Sequence, residues 1–522
     1  MAAEPTASVR SARPTLGRER TGRPVFRRRL TATLALLAAV VSAAACQSMQ
    51  VPMNQPLAMN AQGQPDFARN YGFNRLQAGF QAGHWSRPDS DLLVFLAFSG
   101  GGKRSAAFAH GALRGLRAIP VRPPGGAERT LLDDVDYISG VSGGSFPAMH
   151  YGLYREASFE TFPREFLKVD VQSYIYGNYL LPWNWGWMVN PVYGTNDRMA
   201  GVYDRLMFHG ATYADLARHG LPIISVNATD VANEASFAFM GATFGTLCSD
   251  LQPFPVARAV AASNGFPILF GPITLQSYAA RCGGQRPPTA PLSRWAEPHS
   301  ELSRRAQLAR QSNRYADPDQ TSWVHLMDGG ISDNLALRGL LNFFIGAAME
   351  DTDLLRFVER HTRRILVISV DGEAAPDPAL GHQRTVGGLG RIFSAVSGTQ
   401  IDSYNFETLV LTRERVGAIV GRFREVRCAM GPTIDGHPCG DVEGTLVHIA
   451  LSGIDDPAER ARLEAVPTGL TIPDADVDAL VAYGERIVRE NPDIRAVAAA
   501  AGPGAGVVQR TAPARGRRTA AR

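Results

Sequence analysis

Seven consecutive apolar residues, Leu92–Phe98, run without a polar interruption into Ser99-Gly100-Gly101-Gly102. A strand with one solvated face alternates polar and apolar residues, so a run of strand length that is apolar throughout needs cover on both faces. Further short runs, β-branched or largely apolar, occupy 135–139, 221–227, 324–327 and 365–370, with helical patterns such as 105–118 and 145–155 between them. That rhythm of buried strand and crossover helix predicts an α/β fold around a mainly parallel sheet. A chain of 522 residues with 45% hydrophobic and 20% charged side chains fits a large globular body, and excludes both a charged disordered polymer and a polytopic membrane protein. Eight Arg face two Glu in residues 1–45, and five Arg face no acid in 501–522, so the formal +4 of the chain leaves 46–500 at about −7. A body of that sign lacks the clustered basic surface that phosphate backbones require, and no nucleic-acid partner is expected.

An Arg-rich stretch over 10–29 precedes an apolar run, 30–45, too short to span a bilayer comfortably but suited to the h-region of a signal peptide. Residues 1–45 are therefore expected to direct export to the periplasm or cell envelope. The run ends in Ala43-Ala44-Ala45-Cys46, which resembles the lipobox of bacterial lipoproteins. That resemblance implies acyl chains on Cys46 and, with Gln47 rather than Asp next, the outer membrane where the cell has one. Ordinary cleavage after an A-x-A-like site, with Cys46 unmodified, is the alternative.

Residues 46–90, rich in Gln, Asn, Pro and Gly, read as a flexible tether, and the folded part is expected from Asp91. Residues 156–218 break the rhythm with aromatics, Trp183, Trp185 and Trp187 among them, and read as a lid or as a packed surface insertion. Beyond Gly372 the pattern weakens. Residues 376–500 read as a C-terminal α+β extension and 501–522 as a disordered tail. Four cysteines remain besides Cys46, and in an exported chain Cys248–Cys282 and Cys428–Cys439 are the most economical of three possible pairings, buried thiols being the alternative. Neither a Cys-x-x-Cys nor a His/Cys cluster suggests a metal, and no cofactor is expected.

Three glycine-rich turns carry the chemistry. Ser99-Gly100-Gly101-Gly102-Lys103-Arg104 joins a strand to a helix, where glycines gather backbone N–H groups at a helix N-terminus suited to an anion. Neither Walker nor G-x-G-x-x-G spacing fits it, and a plain tight turn would look the same. Gly140-Val141-Ser142-Gly143-Gly144 also joins a strand to a helix and has the form of a nucleophile elbow, in which small neighbours permit the sharp turn that presents a hydroxyl. His325-Leu326-Met327-Asp328-Gly329-Gly330-Ile331-Ser332-Asp333-Asn334 sends an Asp off the end of a strand, at the carboxyl edge where α/β sheets keep their sites; an Asx-type turn cap is the alternative.

Together and in this order the three motifs resemble the patatin-like phospholipase family, whose pattern is Gly-Gly-Gly-x-Arg/Lys, Gly-x-Ser-x-Gly and Asp-Gly-Gly/Ala. Ala261-Ala262-Ser263-Asn264-Gly265-Phe266-Pro267 is similar to the family's Ala-Ser-x-Ala-x-Pro. The resemblance spans roughly 91–375; Ser99 and Ser105 depart from it where many members have an acid and a Gly. It implies a three-layer α/β/α sandwich and a serine hydrolase of lipid or phospholipid acyl esters at a membrane surface, forming an acyl-enzyme through a Ser142–Asp328 dyad. Gly100, Gly101, Gly102 and Gly143 would hold the oxyanion. Arg104 would shape the loop or contact a lipid phosphate, and Lys103 would be solvated. An acyltransferase or thioesterase with the same nucleophile, and a non-catalytic lipid-binding protein of the same fold, are the alternatives.

An Asp titrates near ~4 in water, so Asp328 must be partly desolvated to act as a base at neutral pH. A Ser–acid–His triad would need His361, His382, His437 or His448, none of which follows a strand with a suitable loop. His110 and His325 read as packed or solvated residues.

Overall fold

Eight strands build one sheet: β1 (Leu92–Phe98), β2 (Val135–Val141), β3 (Ile223–Asp230), β4 (Ala235–Ala238), β5 (Ile273–Gln276), β6 (Trp323–Met327), β7 (Arg364–Asp371) and β8 (Glu443–Ala450). Their order is β8-β7-β1-β2-β3-β6-β5, with β4 also paired to β3. The five from β8 to β3 are parallel. Every residue of β1 is buried, as its unbroken apolar run requires, and helices cover the sheet on both faces to give the three-layer α/β/α sandwich. The computed structural model describes residues 53–82, 90–122, 128–174, 194–267, 270–287, 303–345, 353–372, 378–385 and 387–501. The expected signal segment with Cys46, the three tryptophans at 183, 185 and 187, and the tail from 502 lie outside the described residues.

One strand differs from expectation in direction. The run 324–327 was expected among the parallel strands, but β6 is antiparallel to both β3 and β5. Its place follows from the length of β3, which continues past its last partner on β2, the pair Val141↔Asn227, to Asp230. β6 pairs with that overhang through Leu326↔Asp230 and Met327↔Thr229. It therefore enters the carboxyl edge from outside and releases the chain at Asp328, level with the end of β2. An apolar run carries no direction, and the Asp reaches the expected edge by the opposite route.

The expected tether is ordered where it is described. Gln55–Pro56 pairs with Ser249–Asp250, Phe73–Gln81 is helical, and Leu57 and Tyr71 are buried. Side-chain amides replace backbone pairing here. Asn70 donates from Nδ2 to Ser249 O at 3.0 Å and accepts at Oδ1 from Leu251 N–H at 2.7 Å. Asn54 brackets Gln276 in the same way, at 2.8 Å on both sides. Such anchoring needs no hydrophobic periodicity.

Nor do residues 376–500 stand apart as an extension. The helices that position the site are α1 (Gly102–Arg117), α2 (Ser145–Tyr154), α3 (Thr195–Tyr203), α4 (Val256–Ser263), α5 (Gly330–Asp333), the 42-residue α6 (Leu389–Met430) and α7 (Asp474–Glu490). β8 continues the parallel sheet beside β7 from Glu443 to Ala450, and α7 lies along α1 with Tyr483 stacked on Phe108, ring centroids 5.5 Å apart. As an edge strand, β8 is only partly buried, which is why its pattern is weak. The described part of 156–218 is packed too: Phe166 stacks on Phe146 at 4.2 Å, and Phe162, Tyr203 and Phe208 are buried. Both expected disulfides are present, Cys248–Cys282 and Cys428–Cys439, with Cα–Cα distances of 5.8 and 4.9 Å. No described helix is long and apolar enough to cross a membrane.

Candidate active site

β2 ends at Val141 and the chain turns through Ser142 into α2. Ser142 has φ 48°, the left-handed region that a residue with a side chain enters at a cost of order 1–3 kcal/mol. Hydroxyls hold it there. Ser263 Oγ accepts the Ser142 N–H at 2.8 Å and donates onward to Asn227 O at 2.6 Å, while Ser145 Oγ donates to Ser142 O at 2.6 Å. The next residue must be glycine, because a Cβ on Gly143 would lie 2.0 Å from Gly102 O. The elbow and the first glycine loop are therefore in contact.

Asp328 leaves β6 against the same elements. Its N–H donates to Gly265 O, and the Gly329 N–H to Ser263 O, both at 3.1 Å. The Ser142 hydroxyl donates to Asp328 Oδ2 at 3.0 Å, and Asp328 Oδ1 accepts the Gly330 N–H at 2.8 Å. Both residues are 7% exposed. Burial pushes the Asp328 carboxyl up from 3.8 to about 6, because desolvation penalises its charge more than the Gly330 N–H and the Ser142 hydroxyl favour it. Asn264, at the end of α4, places Oδ1 at 3.2 Å from Ser142 Oγ and Nδ2 at 3.0 Å from the Tyr203 hydroxyl.

The glycine loop is partly committed. Gly100 donates its N–H to Asn334 O at 2.9 Å, so that group is not open to a developing oxyanion. Gly101 and Gly102, at φ 133° and 59°, enter α1, where the first N–H groups have no intrahelical acceptor. With Gly143 they are the expected donors that stay available. A Cβ on Gly100 would sit 3.4 Å from Ser142 Cβ, which places this loop directly beside the hydroxyl.

Arg104 does not face the site. It is 1% exposed, and its guanidinium donates to Gly372 O at 2.6 Å, to Thr468 Oγ1 at 3.1 Å and to Val466 O. A buried cation turned onto carbonyls braces the loop and presents nothing to a lipid phosphate, which corrects the substrate-contact expectation. Lys103, expected in solvent, is also buried. Its ammonium donates to Val169 O and lies 5.1 Å over the Phe166 ring. Burial lowers its pKa to about 8, against the carboxylates of Asp170 and Asp474.

The histidines lie elsewhere. His361 pairs with Asp435 at 2.7 Å, His448 on β8 meets Ser369 at 3.3 Å, His437 belongs to a two-residue strand paired with Thr433–Ile434, and His382 is exposed. Neither Ser142 nor Asp328 has a histidine as hydrogen-bond partner among the described residues. Among those residues no group of three or more His, Cys, Asp and Glu is placed to hold a metal ion. Sequence reasoning singled out Ser263-Asn264 as a motif but missed what they touch. It gave Asn334, at the end of the Asp328 motif, no role, and it missed Tyr203 entirely, since Tyr203 sits in no recognisable pattern.

Residues 96–341 match the family model described as patatin-like phospholipase. No curated protein sequence matches the chain. Among solved structures the chain is similar to human GIVD cytosolic phospholipase A2, at 13% identity over 87% of this chain and 68% of that one, with a TM-score of 0.41. The same human enzyme in complex with methyl gamma-linolenyl fluorophosphonate and terbium chloride matches at 14% identity over 86% and 66% of the two chains, with a TM-score of 0.36. This chain thus spans about two thirds of that enzyme's length, and so loose a likeness carries no argument about chemistry. The match covers all three glycine-rich motifs, so residues 96–341 are similar to a patatin-like phospholipase domain, the module of a lipid acyl hydrolase.

Proposed function

We propose that the protein is an exported, membrane-associated hydrolase that cleaves acyl esters of lipids, phospholipids included, through a Ser142–Asp328 dyad without a histidine. One observation carries the reading: a hydroxyl on a left-handed turn donates at 3.0 Å to a buried carboxyl whose pKa burial lifts to about 6. Such a carboxyl is ionised at pH 7 to 8 and is a stronger base than an Asp in water. As the Ser142 Oγ–carbonyl bond forms, the hydroxyl proton passes to Asp328 Oδ2 and the carbonyl π pair moves onto oxygen. The N–H groups of Gly101, Gly102 and Gly143 are the donors suited to that charge. Collapse expels the lipid alkoxide, which takes the proton from Asp328 and leaves an acyl-Ser142. Water, deprotonated by Asp328, then repeats the sequence and releases the fatty acid.

Export and an acyl anchor on Cys46 complete the proposal. The signal-like residues 1–45 support export, as do the two disulfides, which persist in oxidising compartments. A fluorophosphonate should label wild type and not Ser142→Ala, and Asp328→Asn should lose turnover of long-chain phospholipid esters. Labelling that survives Ser142→Ala, or turnover that survives Asp328→Asn, sinks the dyad. The mass of the mature N-terminus tests the anchor, and an unmodified Cys46 removes it.

A further inference from the structure

We propose that Asn264 is a third catalytic residue: its side-chain amide, held by Tyr203, donates a hydrogen bond to the Ser142 hydroxyl oxygen and so directs that hydroxyl's single proton to Asp328. The inference rests on the Ser142–Asp328 reading above. As placed, Ser142 Oγ faces two acceptors, Asp328 Oδ2 at 3.0 Å and Asn264 Oδ1 at 3.2 Å, with one proton to give. A proton spent on the amide oxygen is unproductive, because an amide oxygen is too weak a base to take it. The amide nitrogen meanwhile meets the Tyr203 hydroxyl oxygen at 3.0 Å, which uses that phenol as an acceptor only.

The two ends of an amide have nearly the same shape, and the surrounding network decides which faces which partner. Turned end for end, Asn264 gives each group one role. Tyr203 O–H donates to Asn264 Oδ1, Asn264 Nδ2–H donates to Ser142 Oγ, and Ser142 O–H donates to Asp328 Oδ2, whose Oδ1 already accepts the Gly330 N–H. No atom outside the amide has to move. Burial holds the Tyr203 phenol protonated well above its ordinary range, so it remains a donor at working pH.

The arm is rigid. The Asn264 N–H is anchored to Val260 O at 3.0 Å at the end of α4, and Asn264 is 7% exposed. Tyr203, on α3, is 1% exposed and packs edge-on against Phe146 at 4.9 Å. As the Ser142 O–H bond breaks, the amide N–H stays beside the oxygen that gains charge.

Asn264→Asp keeps the size and replaces the donor with an acceptor. It should lower kcat about 10²-fold and leave KM within about threefold. Tyr203→Phe, which only frees the amide, should lower kcat by about tenfold or less. Tyr203→Phe combined with Asn264→Asp should lose no more than Asn264→Asp alone, because both act through one hydrogen bond. Rates are taken per Ser142 titrated to completion with fluorophosphonate, since a merely structural role would reduce the titratable fraction and leave kcat per site unchanged. Where Asn264→Asp does not fold, Asn264→Ala and Tyr203→Phe carry the same test. Wild-type kcat per site in either Asn264 variant overturns the proposal, as do losses that simply add in the double variant. If Ser142→Ala and Asp328→Asn are inactive while Asn264→Asp is unimpaired, only the role of Asn264 falls. An active Ser142→Ala brings down the dyad itself.

Discussion

Replacing Asp328 with Asn should stabilise the folded protein at neutral pH while abolishing turnover. Burial raises the Asp328 pKa from 3.8 to about 6, and roughly two units at 1.36 kcal/mol each come to about 3 kcal/mol. Proton counting sets the sign. Between the two pKa values the folded chain holds a proton that the unfolded chain has released, so wild-type stability falls as pH rises through about 4 to 6, and the loss is complete above that window. Asn is neutral throughout and nearly the same shape. Its Oδ1 keeps the 2.8 Å bond from the Gly330 N–H, and its amide nitrogen faces Ser142 Oγ. Asp333, also raised to about 6 by burial, is common to both proteins and cancels in the difference. Unfolding of wild type and Asp328→Asn, by heat or denaturant from pH 4 to 8, should give a stability difference that grows in favour of the variant by about 3 kcal/mol across the window. A difference that stays flat with pH, or moves in favour of wild type as pH rises, would refute the reasoning.

The same carboxyl should impose an acid limb on kcat/KM with a midpoint near 6, activity falling about tenfold per pH unit below it. A pH–rate profile on a soluble ester checks this, and a limb near 4 contradicts it. Gly143→Ala would press a methyl to within 2.0 Å of Gly102 O, force the elbow and glycine loop apart, and reduce turnover at least about 10²-fold with the fold retained by circular dichroism. Arg104→Met breaks the guanidinium's bonds to Gly372, Val466 and Thr468 and should cost about 3 kcal/mol or more. It should also leave the preference among lipid headgroups unchanged in the enzyme that stays folded, whereas a phosphate-binding role would shift that preference.

The core of the fold was legible because buried parallel strands have to be apolar on both faces, and Leu92–Phe98 is. The site was legible for a related reason: Ser142 at φ 48° with Gly143 against Gly102 needs small neighbours that stand out in a sequence. The direction of β6 was not, since its run reads the same either way. Asn54 and Asn70 made 53–82 look like a tether because ordered side-chain amides have the composition of a linker. Arg104 beside three glycines suggested an anion contact. Its true partners, the Gly372 and Val466 carbonyls and the Thr468 hydroxyl, are distant in the chain, and a backbone carbonyl leaves no trace in residue type. Asn264 stood in a noted motif, but its partners could not be read there, since Tyr203 and Ser142 meet it only once α3, α4 and the Ser142 turn are brought together.

The grip on the first glycine loop comes from far downstream. Arg104 reaches Val466 and Thr468, and the Lys103 N–H donates to Gly469 O at 2.8 Å. That brace exists only once residues 466–469 have joined the fold. A fragment trimmed at residue 341 would therefore keep every glycine motif and leave its first glycine loop unclasped.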